Sequence, residues 1–321
     1  MARLVRVRPR VDPGYRRVRA GRGFRYLEEN GGDVPKTQRR RVRSLAIPPA
    51  WQDVWISADE RGHIQAVGTD DAGRQQYLYH PRWRAARDRG KFARALALAE
   101  ALPSARAIVT RDLRRDDPDR DHALAIAFRL LDEGAPRVGS ARYLERHGSR
   151  GLTTLRRRDA AVDGSVVTLS FPAKSGQRAH IEIDDEDLAA ALGLLGAGAP
   201  RSPLLWHQDG RRRVALRPAE VNEYVHRLTG GPFTAKDFRT LRGTILAADE
   251  LSRTGVEQAS RARHRAEVAA VRSVAGSLGN TPAVARSSYI DPRVFTRYRQ
   301  GRLLDRTLSP EHAIRLLLGE A

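Results

Sequence analysis

The chain has 321 residues, enough for about two domains at the usual ~100–200 residues each. Its 58 basic and 38 acidic side chains leave a net charge of +20, a field that selects polyanionic partners. Forty per cent hydrophobic residues argue against wholesale disorder, and the lack of any cysteine excludes disulfides, thiolate metal sites and cysteine nucleophiles.

Residues 1–43 hold 14 Lys/Arg against Asp12, Glu28, Glu29 and Asp33. That reads as a basic arm, either solvated or in contact with DNA; it lacks the uninterrupted apolar core of a signal peptide. Three segments rich in Val, Ile and aromatics follow: Trp51–Ser57, His63–Thr69 and Gln75–His80. The turn-forming clusters Asp59-Glu60-Arg61-Gly62 and Asp70-Asp71-Ala72-Gly73 separate them, which predicts an antiparallel meander. Alternation puts Tyr77 and Tyr79 on one face of the last strand and Gln76 and Leu78 on the other.

From about Arg84 the pattern turns to Ala, Leu and Arg at helical spacing, with helices over Ala93–Ala101 and His122–Leu131. Arg89-Gly90-Lys91 marks the expected domain boundary. The Asp-rich stretch from Asp112 to Asp121 fails as an EF-hand: counting from Asp117, His122 stands where Gly is required and Phe128 where Glu is required. It reads as a self-neutralising loop and helix start. Val166–Phe171 and Ala179–Ile183 flank Pro172-Ala173-Lys174-Ser175-Gly176-Gln177, a β-hairpin with Lys174 at its tip.

Helices are then expected over Asp185–Leu195, Pro218–Leu228, Asp237–Leu251 and Arg261–Leu278. Thr281-Pro282 opens another and Ser309-Pro310 a last one. The longest apolar run, Leu188 to Ala199, carries three glycines and falls short of the ~18 residues of a membrane span. A soluble intracellular protein is expected.

Only four of the basic residues are lysines: Lys36, Lys91, Lys174 and Lys236. Where composition favours Arg this strongly, a retained Lys marks a position that can use a titratable ammonium, since Arg is effectively never deprotonated. The nine histidines show no metal-ligand spacing.

The order of several short motifs resembles that of the type IB DNA topoisomerases, in their compact poxvirus-like and bacterial branch. The motifs are Arg137-Val138-Gly139, Tyr143-Leu144-Glu145, Gly151-Leu152-Thr153-Thr154-Leu155, Phe171-Pro172-Ala173-Lys174, Lys236-Asp237-Phe238-Arg239-Thr240 and Gly279-Asn280-Thr281-Pro282, with Ser288-Tyr289 last. Upstream, Gly68-Thr69-Asp70 and Gly73-Arg74-Gln75-Gln76-Tyr77-Leu78-Tyr79 are similar to that branch's N-terminal β-domain, so the resemblance covers roughly residues 20 to 305.

This resemblance implies an α+β fold: a basic arm and small β-rich DNA-binding domain over 1–90, and a mainly helical catalytic domain over 91–321 that bears the hairpin. The two would form a clamp with duplex DNA in the cleft. It also implies a nuclease–ligase cycle needing neither metal, ATP nor other cofactor. Tyr289 is the implied nucleophile, forming a 3′-phosphotyrosyl bond and releasing a 5′-hydroxyl. Between cutting and resealing, the broken strand rotates and releases supercoils.

The residue types suit that chemistry. Arg137 and Arg239 would grip the equatorial oxygens of a phosphoryl transition state. Lys174 would protonate the leaving 5′-oxygen as general acid. Lys236, on the helical face of Arg239, would contact phosphate or assist the proton transfer. Asn280 departs from the His that many family members carry; it can hydrogen-bond to a phosphate oxygen but cannot titrate. Nine residues of straight helix span ~13 Å, so the helix must end or bend between Asn280 and Tyr289 if both are to reach one phosphate. Nothing in the sequence identifies what activates the phenol. Gln76, Tyr77, Tyr79, Arg142 and Tyr143 are the expected further DNA contacts, with Gln76 reading a base edge.

Two other functions compete. A tyrosine recombinase shares the Arg–Lys–Arg–Tyr chemistry but usually has His three residues before its second Arg, where this chain has Lys236. A non-enzymatic DNA-coating protein would need only the charge. The topoisomerase reading carries a monomer with no obligate protein partner and no membrane contact, cytoplasmic and associated with the nucleoid.

Overall fold

The computed structural model describes residues 3–71, 73–196 and 198–319, apart from the side chains of Arg142, Tyr143 and Ser175. The chain divides into two units, Met1–Gly90 and Lys91–Ala321.

In the first unit, β1 (Gly14–Ala20), β2 (Gly23–Leu27), β3 (Gln52–Ser57), β4 (Ile64–Thr69) and β5 (Gln75–Tyr79) form one sheet in the order β2-β1-β3-β4-β5. Every neighbouring pair is antiparallel. α1 (Lys36–Ser44) contributes Val42 to a core of Tyr15, Val34, Ile47, Val54, Ile56 and Ala66. A smaller cluster of Val7, Trp55, Ile64 and Val67 includes the residues that alternate with these along β3 and β4.

The meander expected over 51–80 is present, but the expected arm is not. Residues 14–44 supply a hairpin and a helix. The first strand escaped notice because one of its inward positions is an arginine. Arg17, 8% exposed, donates to the backbone carbonyls of Ile47, Pro48 and Trp51, so a buried charge is satisfied where a periodicity search wants an apolar residue.

α2 runs from Pro81 to Leu113, so the division at Gly90–Lys91, within the expected boundary Arg89-Gly90-Lys91, falls inside a helix. Its face of Leu98, Leu102, Ala105 and Val109 is buried and continues past Pro103. α3 (Arg120–Gly134) starts on an Asp119 cap that accepts from the His122 N–H at 2.8 Å, satisfying a free donor of the first turn. The Asp-rich stretch before it is neutralised by ion pairs, among them Arg115–Asp119 at 2.7 Å and Arg227–Asp121 at 2.7 Å. α3 is buried along most of its length and packs on several later elements of this unit.

α4 (Ala141–His147) precedes a three-stranded antiparallel sheet of β6 (Ala160–Asp163), β7 (Val166–Pro172) and β8 (Arg178–Asp184). β7 and β8 form the expected hairpin, with Val167, Leu169 and Phe171 buried on one face. α5 (Glu186–Leu194) and the hairpin β9 (Trp206–Asp209)–β10 (Arg212–Ala215) follow. The rest is helical: α6 (Pro218–Thr229), α7 (Ala235–Thr254), α8 (Ser260–Leu278), α9 (Pro282–Ser288), α10 (Arg293–Arg299) and α11 (Pro310–Leu318). β6, β9, β10, α4 and α10 carry no signal in the sequence; each is seven residues or shorter, too short for a periodic pattern. The fold is thus mixed α and β, with small sheets in both units. Among the described residues no helix is long and apolar enough to cross a membrane.

Candidate active site

Arg137 leaves the C-terminal end of α3 on a loop held by backbone contacts. Its carbonyl accepts from the Leu152 N–H at 2.8 Å, and the Val138 carbonyl accepts from the Thr153 N–H at 2.9 Å. Two glycines allow this approach. Gly139 has φ +80°, in the left-handed region, and a methyl group at Gly151 would lie 2.4 Å from the Arg137 carbonyl oxygen.

On the other side, α8 ends at Gly279 in the left-handed conformation. The Asn280 N–H reaches back to the Ala275 carbonyl at 2.9 Å, a Schellman closure. Thr281 then caps α9 with Pro282 at its first position. Asn280 therefore sits in the break between α8 and α9, and the seven residues of α9 separate it from Tyr289. Tyr289 caps the far end of α9.

Two guanidinium groups tie these segments together. Arg137 donates to the Gly279 carbonyl at 3.1 Å and to Asn280 Oδ1 at 2.5 Å. Arg239, on α7 and 5% exposed, donates to the Ala135 carbonyl at 2.5 Å and the Leu278 carbonyl at 2.7 Å. Its Cζ lies 4.9 Å from the centre of the Tyr289 ring. Asn280 meets Arg137 through its carbonyl oxygen, while its Nδ2 donates to the Leu278 carbonyl at 3.2 Å. In this structure the amide therefore orients an arginine.

The Tyr289 phenol lies among cationic side chains. Burial pushes the Tyr289 phenol up, but the charge and hydrogen bonding of Arg239, then the charges of Arg137 and Lys236, outweigh it and hold the phenol below its ordinary value. Burial, reinforced by Arg239, lowers the pKa of Arg137, against an opposing pull from Tyr289. Lys236 is exposed in the first turn of α7, close enough for its charge to act on the phenol.

Arg137, Arg239 and Asn280 line a cleft of about 310 Å³ whose wall continues along Ala173, Gln177 and Arg178 of the hairpin. Lys174 sits in the short turn at the hairpin tip, exposed, and is not among the residues lining that cleft. A larger cavity of about 520 Å³ lies elsewhere along α7, over Leu241 and Ile245. Its lining includes ion pairs, Arg106–Asp132 at 2.6 Å and Arg306–Asp249 at 3.0 Å.

In the first unit, Tyr77 and Tyr79 stack at 5.9 Å, Tyr77 exposed and Tyr79 packed on the smaller core cluster. Gln76 Nε2 donates to Asp70 at 2.9 Å. Arg142 and Tyr143 lie in α4, but their side chains are outside the described part.

Two residues of the site were not anticipated. Arg150 lines the cleft and donates to the buried Asp159 at 2.7 Å. Thr244 Oγ1 accepts from the Asp291 N–H at 3.1 Å and lies 3.3 Å from the Tyr289 carbonyl oxygen. The available signals were Arg150's place next to Gly151 and Thr244's place five residues after Arg239.

Residues 80–301 match the family model of the eukaryotic DNA topoisomerase I catalytic core, and residues 23–70 match that of the bacterial DNA topoisomerase IB N-terminal domain. A relative, DNA topoisomerase 1B of Acanthamoeba polyphaga mimivirus, is 27% identical over 285 residues, 86% of this chain and 84% of its own length. With the catalytic-core match covering more than half of its length, the chain belongs to the type IB DNA topoisomerases.

Proposed function

We propose that this type IB topoisomerase relaxes duplex DNA through a covalent bond to Tyr289. The Tyr289 oxygen attacks a backbone phosphorus, the P–O5′ bond breaks, and the departing 5′-oxygen takes up a proton to leave as a hydroxyl. The 3′-phosphotyrosyl link keeps the energy of the broken bond, so the 5′-hydroxyl can reverse the reaction without a nucleotide. Strand rotation between the two steps changes the linking number. The observation that carries this reading is the convergence of Arg137, Arg239 and Lys236 on a phenol whose pKa they lower.

Arg137 and Arg239 stabilise the charge that develops on the non-bridging oxygens. The buried Arg239 Nε, which has no partner among the described residues, supports this role, because an unsatisfied buried donor is costly unless a ligand meets it. Asn280 holds Arg137 in place and reaches the phosphate through it. Lys174, on the exposed hairpin tip, is the general acid for the 5′-oxygen and comes down onto the substrate when DNA is bound.

The two units close as a clamp around the duplex. Gln76, Tyr77 and Tyr79 meet the bases, Arg142 and Tyr143 the backbone. One chain suffices for the reaction, and its substrate places the enzyme on the nucleoid.

The reading is tested by trapping the intermediate. Enzyme and a nicked suicide duplex are denatured with detergent, digested with protease and sequenced by mass spectrometry. The expected product is a nucleotide 3′-linked to the Tyr289 peptide together with a free 5′-hydroxyl strand. An adduct on another residue, or a 5′-linked one, contradicts the mechanism.

A further inference from the structure

A glycine inside a helix costs roughly 0.5–1 kcal/mol against alanine, so one that is kept asks for a reason. α2, α7 and α8 each contain an interior glycine. Among the described residues, a methyl group at Gly90 in α2 or Gly276 in α8 would meet nothing within 4 Å. At Gly243 in α7 it would lie 2.7 Å from the Tyr289 carbonyl oxygen, 3.1 Å from Tyr289 Cβ and 3.2 Å from Leu278 Cδ1.

The first of these contacts is with backbone, which cannot swing aside as a side chain can. Ordinary contact begins at 3.4 Å, so a methyl group would force α7 and the end of α9 apart by several tenths of an ångström. The same helix carries Arg239 one turn earlier, and Thr244 beside Gly243 anchors the Asp291 N–H at 3.1 Å. The bare backbone at Gly243 and the hydroxyl at Thr244 thus form a seat for residues 289–291.

We infer that Gly243 is a positioning residue for the nucleophile: its missing side chain lets Tyr289 seat against α7, with its ring held beside Arg239. This rests on Tyr289 being the nucleophile. Gly243 touches neither DNA nor the reacting atoms in this account; it acts through the placement of Tyr289.

The test is a pair of matched substitutions, Gly243→Ala and Gly90→Ala. Both give a helix interior the same gain in propensity, and only the first creates a collision. Single-turnover cleavage of a suicide duplex is followed across pH, alongside DNA affinity and thermal melting. Gly243→Ala should remain folded and bind DNA within about twofold of the parent, yet cleave on the order of 10- to 100-fold more slowly, as expected for sub-ångström to 1 Å misplacement of a reacting group. The pH midpoint of its cleavage should move up, because the ring is displaced from Arg239, Lys236 and Arg137. Gly90→Ala should match the parent in every readout.

A folded Gly243→Ala enzyme with parental rate and pH profile overturns the inference. So does a variant that fails to fold, which would assign Gly243 to the core and not to the nucleophile. Tyr289→Phe in the same assay separates the two layers of the argument. If it still forms a covalent complex, the mechanism itself fails; if it is inactive while Gly243→Ala is normal, only the positioning role fails.

Discussion

Each unit buries an arginine on an inward-facing position, and the two are used in opposite ways. Arg17 in β1 is 8% exposed and donates to three backbone carbonyls around the start of β3, those of Ile47, Pro48 and Trp51. Arg239 in α7 is 5% exposed and donates to the carbonyls of Ala135 and Leu278, but its Nε has no partner among the described residues and its guanidinium faces the Tyr289 ring. The first cation is spent on the fold. The second is satisfied only in part, and we propose that its remaining capacity serves the chemistry. Burial of a charge does not by itself mark a functional residue; what distinguishes Arg239 is the donor left over and the titratable group beside it.

The sharpest way to separate a catalytic cation from a structural one begins with Lys174. Lys174→Ala should cut the cleavage rate by roughly 10²–10⁴-fold, the usual contribution of a general acid, while a substrate whose 5′-oxygen is replaced by a better leaving group should restore most of it. Failure of that substrate to rescue removes the general-acid role.

Arg239→Ala comes next, with an expected loss of ~10²–10³-fold in single-turnover cleavage, as for removal of one transition-state donor. Arg17→Ala should do the reverse. It leaves three carbonyls without their donor, at a cost of about 1–3 kcal/mol to the stability of the first unit, and lowers the melting temperature. At temperatures where that variant stays folded, the rate of cleavage of bound DNA should be parental. If Arg17→Ala slows chemistry as much as Arg239→Ala does, the distinction collapses.

Asn280 tests an indirect route to the same phosphate. Asn280→Ala deletes the Oδ1 that orients Arg137 and should slow cleavage by about tenfold, roughly the effect of ~1.4 kcal/mol of lost positioning. Asn280→His, which restores a polar side chain, should retain more activity. Total loss in both variants would mean that the residue does something other than hold Arg137.

The smallest expected effect is a shift in pH dependence. A deprotonated nucleophile makes cleavage rise with pH, and the midpoint should lie below the ordinary phenol value of about 10, since Arg239, Arg137 and Lys236 favour the phenolate. Removing one of these positive charges disfavours the phenolate, so Lys236→Ala should move the midpoint upward. A midpoint that does not move would detach Lys236 from Tyr289.

The same contrast explains what could be read before the fold was known. β3, β4 and β5 were legible because their apolar positions alternate and turn clusters separate them. β1 was not, because Arg17 fills an inward position that alternation expects to be apolar. The sequence pattern supports α2 only over Ala93–Ala101, although packing of its Leu98, Leu102 and Val109 face carries the helix through Gly90 and Pro103.

At the site, motif order singled out Arg137, Arg239, Asn280 and Tyr289, and Thr281-Pro282 announced the start of α9. What holds them together is long-range and leaves no local trace: the Arg239 bonds to Ala135 and Leu278, the Arg137 bond to Asn280, and the proximity of three cations to one phenol. Gly243 in α7 reads locally as a weak point in a helix. Only the carbonyl of Tyr289 standing opposite it gives that glycine a purpose.

The most direct measurement is relaxation of supercoiled plasmid in EDTA without ATP, comparing the parent with Tyr289→Phe and stripping protein from the products before electrophoresis. The account predicts a ladder of relaxed topoisomers from the parent and unchanged supercoiled DNA from Tyr289→Phe. Relaxation by both proteins, or by neither despite tight DNA binding, would contradict a topoisomerase cycle that passes through Tyr289.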